Sequence, residues 1–115
     1  MPAVPKLLKG QVAKLEKTKA NAEKGSAQLQ ELLDKARQEE LKNHIPEFAI
    51  KRAAATVALC TQNISAIEIA LEANRGEWKK LFDESVEVIK KVNTSIGTLQ
   101  TFIGEAEAHA TDPFA

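Results

Sequence analysis

The stretch ATVALCTQNISAIEIALEA, residues 55–73, carries apolar side chains on two sides of one helix. On the first side they recur in alternating steps of three and four residues, which is the spacing of a coiled-coil seam. That row consists of Ile50, Ala53, Val57, Cys60, Ile64, Ile67, Leu71 and Asn74. A helix at the surface of a bundle needs only one such row. The pattern therefore predicts a helix over 46–74 with a core-facing seam, and it leaves a second apolar side unexplained.

One further helix is predicted on each side of this one. The first, over 5–41, repeats apolar side chains at steps of three, four or seven residues: Leu8, Val12, Leu15, Ala22, Leu29, Leu33 and Ala36. The second, over 77–109, repeats Trp78, Phe82, Ser85, Ile89, Val92, Ile96, Leu99, Ile103 and Ala106. Pro46 ends the first segment because it disfavours helical backbone at the residue before it. Residues 110–115 are predicted to form a frayed tail.

Short connections between helices favour antiparallel neighbours. We therefore expect one all-α domain over 1–115, an elongated antiparallel up-down-up three-helix bundle. An alternative stays open at this stage, because no proline enforces a break near Gly76. If the helix continued through Gly76, the chain would be a helical hairpin with one long arm, and it would form a dimeric coiled coil.

The middle of the first helix has no large apolar side chain. Its core-facing positions there are Thr18, Ala22, Gly25 and Ser26. Small residues let another helix approach closely, which is the interpretation that we favour. The alternatives are a kink or a small apolar pocket at the same level.

The sequence contains no motif that points to catalysis. A glycine-rich phosphate loop, a paired-cysteine motif and an HExxH motif are all missing from it. The single cysteine, Cys60, falls on the core-facing row, which favours a buried and inert thiol. We therefore expect a protein that is not an enzyme and has no cofactor.

One constellation resembles a metal-ligand set. In an up-down-up bundle the first and third helices run parallel, so two Glu-to-His pairs of spacing four come to the same pole. They are Glu40 with His44 and Glu105 with His109. Histidines near helix C-termini also interact favourably with the helix dipole. The simpler explanation is preferred, and no metal site is predicted.

The charge of the chain is balanced overall but uneven along it. There are 16 basic and 16 acidic residues, yet residues 1–24 carry six lysines against two glutamates, a net charge of +4. These lysines could contact an anionic lipid surface; they are Lys6, Lys9, Lys14, Lys17, Lys19 and Lys24. Nucleic-acid binding is not expected, because neither arginine nor aromatic residues lie among the lysines.

Neither a secretory signal nor a membrane span is expected from the sequence. The N-terminus lacks the apolar run that a signal requires, and we expect no segment to approach the ~20 apolar residues of a transmembrane helix. These features predict a soluble, cytoplasmic protein.

The second apolar side of the middle helix is the main functional indication. It is made of Phe48, Ala55, Leu59, Ala66, Ile69, Ala70 and Ala73. Polar residues separate it from the first row: Lys51, Arg52, Asn63 and Ser65. We expect this face to bind protein, as a homodimer or with another helical protein. The predicted role is that of a structural, scaffolding or adaptor subunit, with a peripheral membrane protein as the alternative.

Overall fold

The computed structural model describes residues 9–73 and 77–111, and this part of the chain forms four helices and no strand. The helices are α1 (Lys9–Ala36), α2 (Glu39–Lys42), α3 (Glu47–Ala73) and α4 (Trp78–Thr111). The three long helices all pack against one another. The molecule measures 73 × 20 × 16 Å. The chain is therefore an elongated all-α helical bundle, as the sequence predicts.

Contacts at the two poles establish the direction of each helix. Phe48 at the start of α3 meets Phe102 near the end of α4, with ring centroids 6.5 Å apart, so α3 and α4 are antiparallel. Lys35 near the end of α1 forms an ion pair with Glu107 near the end of α4, so these two helices are parallel. The order is up-down-up. The alternative hairpin with one long arm is wrong, because α3 and α4 lie side by side.

The core lies along the shared axis of the three long helices. Its largest fully buried side chains are Leu15, Leu29, Leu33, Ile67, Leu99, Val92, Cys60 and Ser85. On α3, the predicted row contributes Ala53, Cys60 and Ile67 as buried residues. Its other members are half-buried: Ile50, Val57, Ile64 and Leu71. Asn74, the last member of the predicted row, lies outside the described residues.

Helix α1 ends earlier than the sequence predicts. It stops at Ala36 and not at residue 41, because Gln38 adopts extended backbone with φ −62° and ψ 142°. Leu41 follows Ala36 by five residues, a step that would rotate it away from the apolar row of a continuous helix at about 100° per residue. The break lets the short helix α2 turn Leu41 into the core, where it is 7% exposed.

The other predicted boundaries differ by one or two residues. α3 begins at Glu47 and not at Pro46, and the Pro46 carbonyl accepts the first backbone hydrogen bonds, from Ala49 and Ile50. α4 continues to Thr111, so residues 110 and 111 are helical and not part of a tail. The predicted starting residues 5–8 and the tail residues 112–115 lie outside the described residues.

The small residues of α1 allow close contact with both neighbours. The Cys60 thiol donates a hydrogen bond to the Ala22 carbonyl, with sulfur and oxygen 3.3 Å apart. Gly25 lies directly against Val92 of α4. Because α1 is continuous from Lys9 to Ala36, the small residues mark a close approach of helices and not a kink.

Candidate partner-binding face

The predicted second face of α3 is only partly free of contacts within the chain. Phe48 and Ile69 are the large apolar side chains that remain exposed among the described residues, at 59% and 54%. Ala55 and Ala73 are also exposed, and Leu59 and Ala66 are half-buried. The structure therefore leaves two large side chains in water at opposite ends of this face.

Two members of the predicted face belong partly or wholly to the fold. Ala70 is only 8% exposed, because it follows Ile69 by one residue and is rotated by about 100°, toward α4. Leu59 packs against the main core cluster, which includes Val88 of α4. The assignment of Ala70 to an outer face is wrong, and Leu59 serves the core as well as the surface.

The exposed residues follow a second coiled-coil spacing along α3. Beginning at Phe48, alternating steps of four and three residues select eight positions, of which six are exposed and two half-buried. We call this row the outer seam: Phe48, Arg52, Ala55, Leu59, Gln62, Ala66, Ile69 and Ala73. Arg52 and Gln62 are not part of the predicted face, because that face consists of apolar residues alone. The regular spacing was the signal that could have identified them.

Phe48 is held in place at one end of the outer seam. Its ring meets that of Phe102 edge-on, with an interplanar angle of 90°, a favoured aromatic geometry. The Arg52 guanidinium carbon lies 6.0 Å from the centroid of the Phe48 ring, within the range of a cation–π interaction. The exposed ring therefore has contacts with α4 and with Arg52 that favour one position on the surface.

Shallow grooves run beside the outer seam, where α3 meets α4. Near Ile69, a groove of about 320 Å³ is lined by Ala66, Ile69, Ala70, Glu77, Lys80, Leu81 and Glu84. Farther along, Leu59 and Asn63 border a second groove of about 430 Å³. The Asn63 amide oxygen is buried and accepts no hydrogen bond. The side of the outer seam that faces α4 thus combines apolar surface with an unsatisfied acceptor.

Helix α3 is more apolar than expected. By length and composition alone it could cross a membrane, and 22% of its most apolar 18-residue window is buried. A core helix of a soluble protein passes the same test, and α3 does pack against both α1 and α4. The expectation that no segment approaches a span is therefore wrong as stated, and much apolar surface of α3 remains uncovered.

The N-terminal lysines do not form one uniform surface. Lys6 lies outside the described residues, and Lys9 and Lys24 are exposed. The Lys19 ammonium lies 3.3 Å from Glu68 and 3.4 Å from Glu23, and hydrogen bonding to Glu68 and then Glu23 raises the pKa of Lys19. Lys19 therefore links α1 to α3 and is not a free cation.

Lys14 and Lys17 instead border a groove between α1 and α4. This groove, of about 400 Å³, is lined by Lys14, Lys17, Thr18, Asn21, Phe82, Val86, Ile89 and Lys90. The Lys14 ammonium also lies 6.0 Å from the centroid of the Trp78 ring. Cationic groups over apolar side chains form a surface suited to an anionic amphiphile.

The two histidines meet at one pole, as the helix directions predict. The ring centroids of His44 and His109 are 5.0 Å apart in an edge-to-face arrangement. Within the described residues, however, no three His, Cys, Asp or Glu side chains gather to hold a metal ion. Glu40 and Glu105 thus do not complete a ligand set with the histidines.

Comparisons of the chain with protein-family models, with curated proteins and with solved structures give no match. The functional interpretation therefore rests on the geometry of the chain itself. The outer seam carries the two large apolar side chains that the fold leaves exposed among the described residues, Phe48 and Ile69.

Proposed function

We propose that this chain is a helical-bundle interaction protein that binds a partner helix along the outer seam of α3. The preferred partner is a second copy, and the protein serves as a structural, scaffolding or adaptor subunit without catalysis. One observation carries the proposal: a row with coiled-coil spacing lies uncovered, with Phe48 and Ile69 more than half exposed at its two ends.

The composition of the outer seam suits a helical partner. Phe48 and Ile69 are 59% and 54% exposed. Covering the exposed part of each would therefore contribute about half of the roughly 1.5–3 kcal/mol of a full burial, so the two can act as anchors. Ala55, Ala66 and Ala73 lie between or beyond them and let a second helix approach closely. Gln62 adds a polar group near the middle, and a polar residue in a seam favours one register over others.

A lipid bilayer suits the outer seam less well than a protein helix does. Arg52 and Gln62 lie on the outer seam itself, and polar or charged side chains inside a membrane are costly. The opposite side of α3 contacts α1 through Cys60 and Ala22, so insertion of α3 would require the bundle to open. A protein helix can cover the outer seam while these contacts stay intact.

The proposal is tested by adding charge to the outer seam. Light scattering at tens of micromolar should find the wild type as a dimer and Ile69→Glu shifted to monomer, with the helical circular dichroism spectrum unchanged. The matched control is Thr61→Glu, which adds the same charge at an exposed position of α3 outside the outer seam and should stay dimeric. A mass that Ile69→Glu and Phe48→Glu both leave unchanged would contradict the proposal.

A second candidate function is association with an anionic lipid surface. It is supported by the groove in which Lys14, Lys17 and Lys90 surround Phe82, Val86 and Ile89. Such binding should weaken with salt, because exposed charges are screened over about 10 Å at 0.1 M ionic strength. In a flotation assay, the wild type should co-float with vesicles of phosphatidylcholine and phosphatidylserine, and the Lys14→Glu/Lys17→Glu variant should not. Lys42→Glu/Lys91→Glu is the control of equal charge change away from this groove.

A further inference from the structure

The flank of the outer seam that faces away from α4 carries an ordered charge pattern. Its positions recur every seven residues and are all exposed: Lys51, Ala58, Ser65 and Glu72. A cation lies near the start of α3, an anion lies near its end, and two small residues lie between them. Such a flank is complementary to itself when it is reversed.

We propose that a second copy of the chain packs its α3 antiparallel along the outer seam, in a register that places Lys51 opposite the partner's Glu72. This inference rests on the proposed function and specifies its partner and geometry. The two-fold axis passes between Leu59 and Gln62. Across the interface the facing pairs are Phe48 with the partner's Ala73, Arg52 with the partner's Ile69, Ala55 with the partner's Ala66, and Leu59 with the partner's Gln62.

The size of the side chains favours this antiparallel register. It sets each large side chain against a smaller or flexible one, as in Phe48 against the partner's Ala73, so that the two helices interdigitate. A parallel pair in register would set Phe48 against Phe48 and Arg52 against Arg52. The second of these contacts would bring two guanidinium groups together as they lose water, which is unfavourable.

Charge complementarity independently favours the same orientation. A two-fold axis repeats every contact, so Lys51 and Glu72 form one ion pair at each end of the interface. Within the described part of its own chain, Lys51 forms an ion pair with Glu47 at 3.6 Å, and both side chains are more than three-quarters exposed. Exposed ion pairs contribute little binding energy but help to set orientation and register. Burial of the outer seam would supply the binding energy, and the charged flank would select the antiparallel orientation.

Cysteine cross-linking tests the register directly. Chains with Ala55→Cys and chains with Ala66→Cys should form a disulfide with each other when mixed, and neither should do so alone. In the proposed dimer the two copies of position 55 are eleven residues out of register, about 16 Å apart, beyond the roughly 7 Å limit of a disulfide. The wild type is the control, because its Cys60 is buried.

Charge reversal tests the flank. Lys51→Glu and Glu72→Lys should each weaken dimerisation by about 3- to 10-fold at low salt, since each places like charges together at both ends of the interface. The double variant restores opposite charges and should return the dissociation constant to near the wild-type value.

The outcomes separate this inference from the proposed function. Self-cross-linking of Ala55→Cys alone would overturn the antiparallel register, while a loss of dimer in Ile69→Glu would still support the outer seam as an interface. A wild type that is monomeric at tens of micromolar would overturn the second copy as the occupant and leave the outer seam to another helical protein. A dimer that is indifferent to Ile69→Glu would overturn both.

Discussion

Gly25 on α1 lies so close to Val92 on α4 that a methyl group added at Gly25 would be 3.0 Å from the Val92 Cγ1 atom. Val92 is 1% exposed, and its β-branched side chain has few alternative rotamers. Glycine is therefore needed at residue 25 for space and not for an unusual backbone conformation. The contact fixes the separation of the two parallel helices.

Gly25→Ala should lower the free energy of unfolding by about 1 kcal/mol, measured by chemical denaturation. Alanine gains about 1 kcal/mol in helix propensity, but overpacking a tight core commonly costs 1–3 kcal/mol. In a Val92→Ala background the same substitution should become stabilising, because the obstructing methyl groups are gone. Gly97→Ala is the control: no neighbour lies within 4 Å of the added methyl group, so it should stabilise by about 0.5–1 kcal/mol. Equal effects at the two glycines would refute the steric explanation.

Three isoleucines on α3 should differ sharply when each is replaced by alanine. Ile67 is fully buried, so Ile67→Ala should lower the free energy of unfolding by about 2–5 kcal/mol. Ile64 is half-buried, so Ile64→Ala should lower the free energy of unfolding by less, about 1–3 kcal/mol. Ile69 is 54% exposed and should change the stability of the monomer by less than about 0.5 kcal/mol. Denaturation should be followed at a concentration where dimer is absent; a large loss at Ile69 would assign this residue to the fold.

The bundle could be predicted from the sequence because its signal is periodic. Ala53, Cys60 and Ile67 fall on the predicted row and are buried. The end of α1 could not be predicted in the same way, since no glycine or proline marks it. The cause is non-local: Leu41 and Ile45, at 7% and 4% exposure, reach the core only if the helix breaks before them.

The candidate site was predicted less well, for a physical reason. Whether an apolar residue on a second face is covered depends on how far the neighbouring helix wraps around it. Ala70 and Ile69 are adjacent in sequence, yet the first lies against α4 and the second faces water. Sequence spacing located the face of α3, but only the packing of α4 could separate its buried edge from its exposed edge.

Zinc should not bind tightly to the histidine pair. His44 and His109 supply two imidazole groups with centroids 5.0 Å apart, whereas structural zinc sites use four protein ligands and catalytic sites three. Calorimetric titration with zinc chloride should therefore show weak heats that saturate only at high concentration. Tight one-to-one binding that both His44→Ala and His109→Ala abolish would show that further ligands join the pair.

The Cys60 thiol should resist modification in the native state. Its Sγ atom donates to the Ala22 carbonyl, and the residue is fully buried. A chromogenic disulfide reagent should therefore react only as fast as the bundle opens, and at once in denaturant. Rapid labelling of the native protein would show that the contact between α1 and α3 opens easily.

The same burial gives the Cys60 thiol a measurable effect on stability at alkaline pH. Loss of solvation raises the pKa of Cys60, partly offset by Ser26, so the folded protein holds this proton more tightly than the unfolded chain. The stabilisation is fully present below the ordinary thiol value of about 8.5 and is lost as pH rises through the higher folded value. The free energy of unfolding should fall across this range more steeply in wild type than in Cys60→Ala, which lacks the thiol but shares every lysine. Parallel curves for the two proteins would show that ionisation of Cys60 is not coupled to folding.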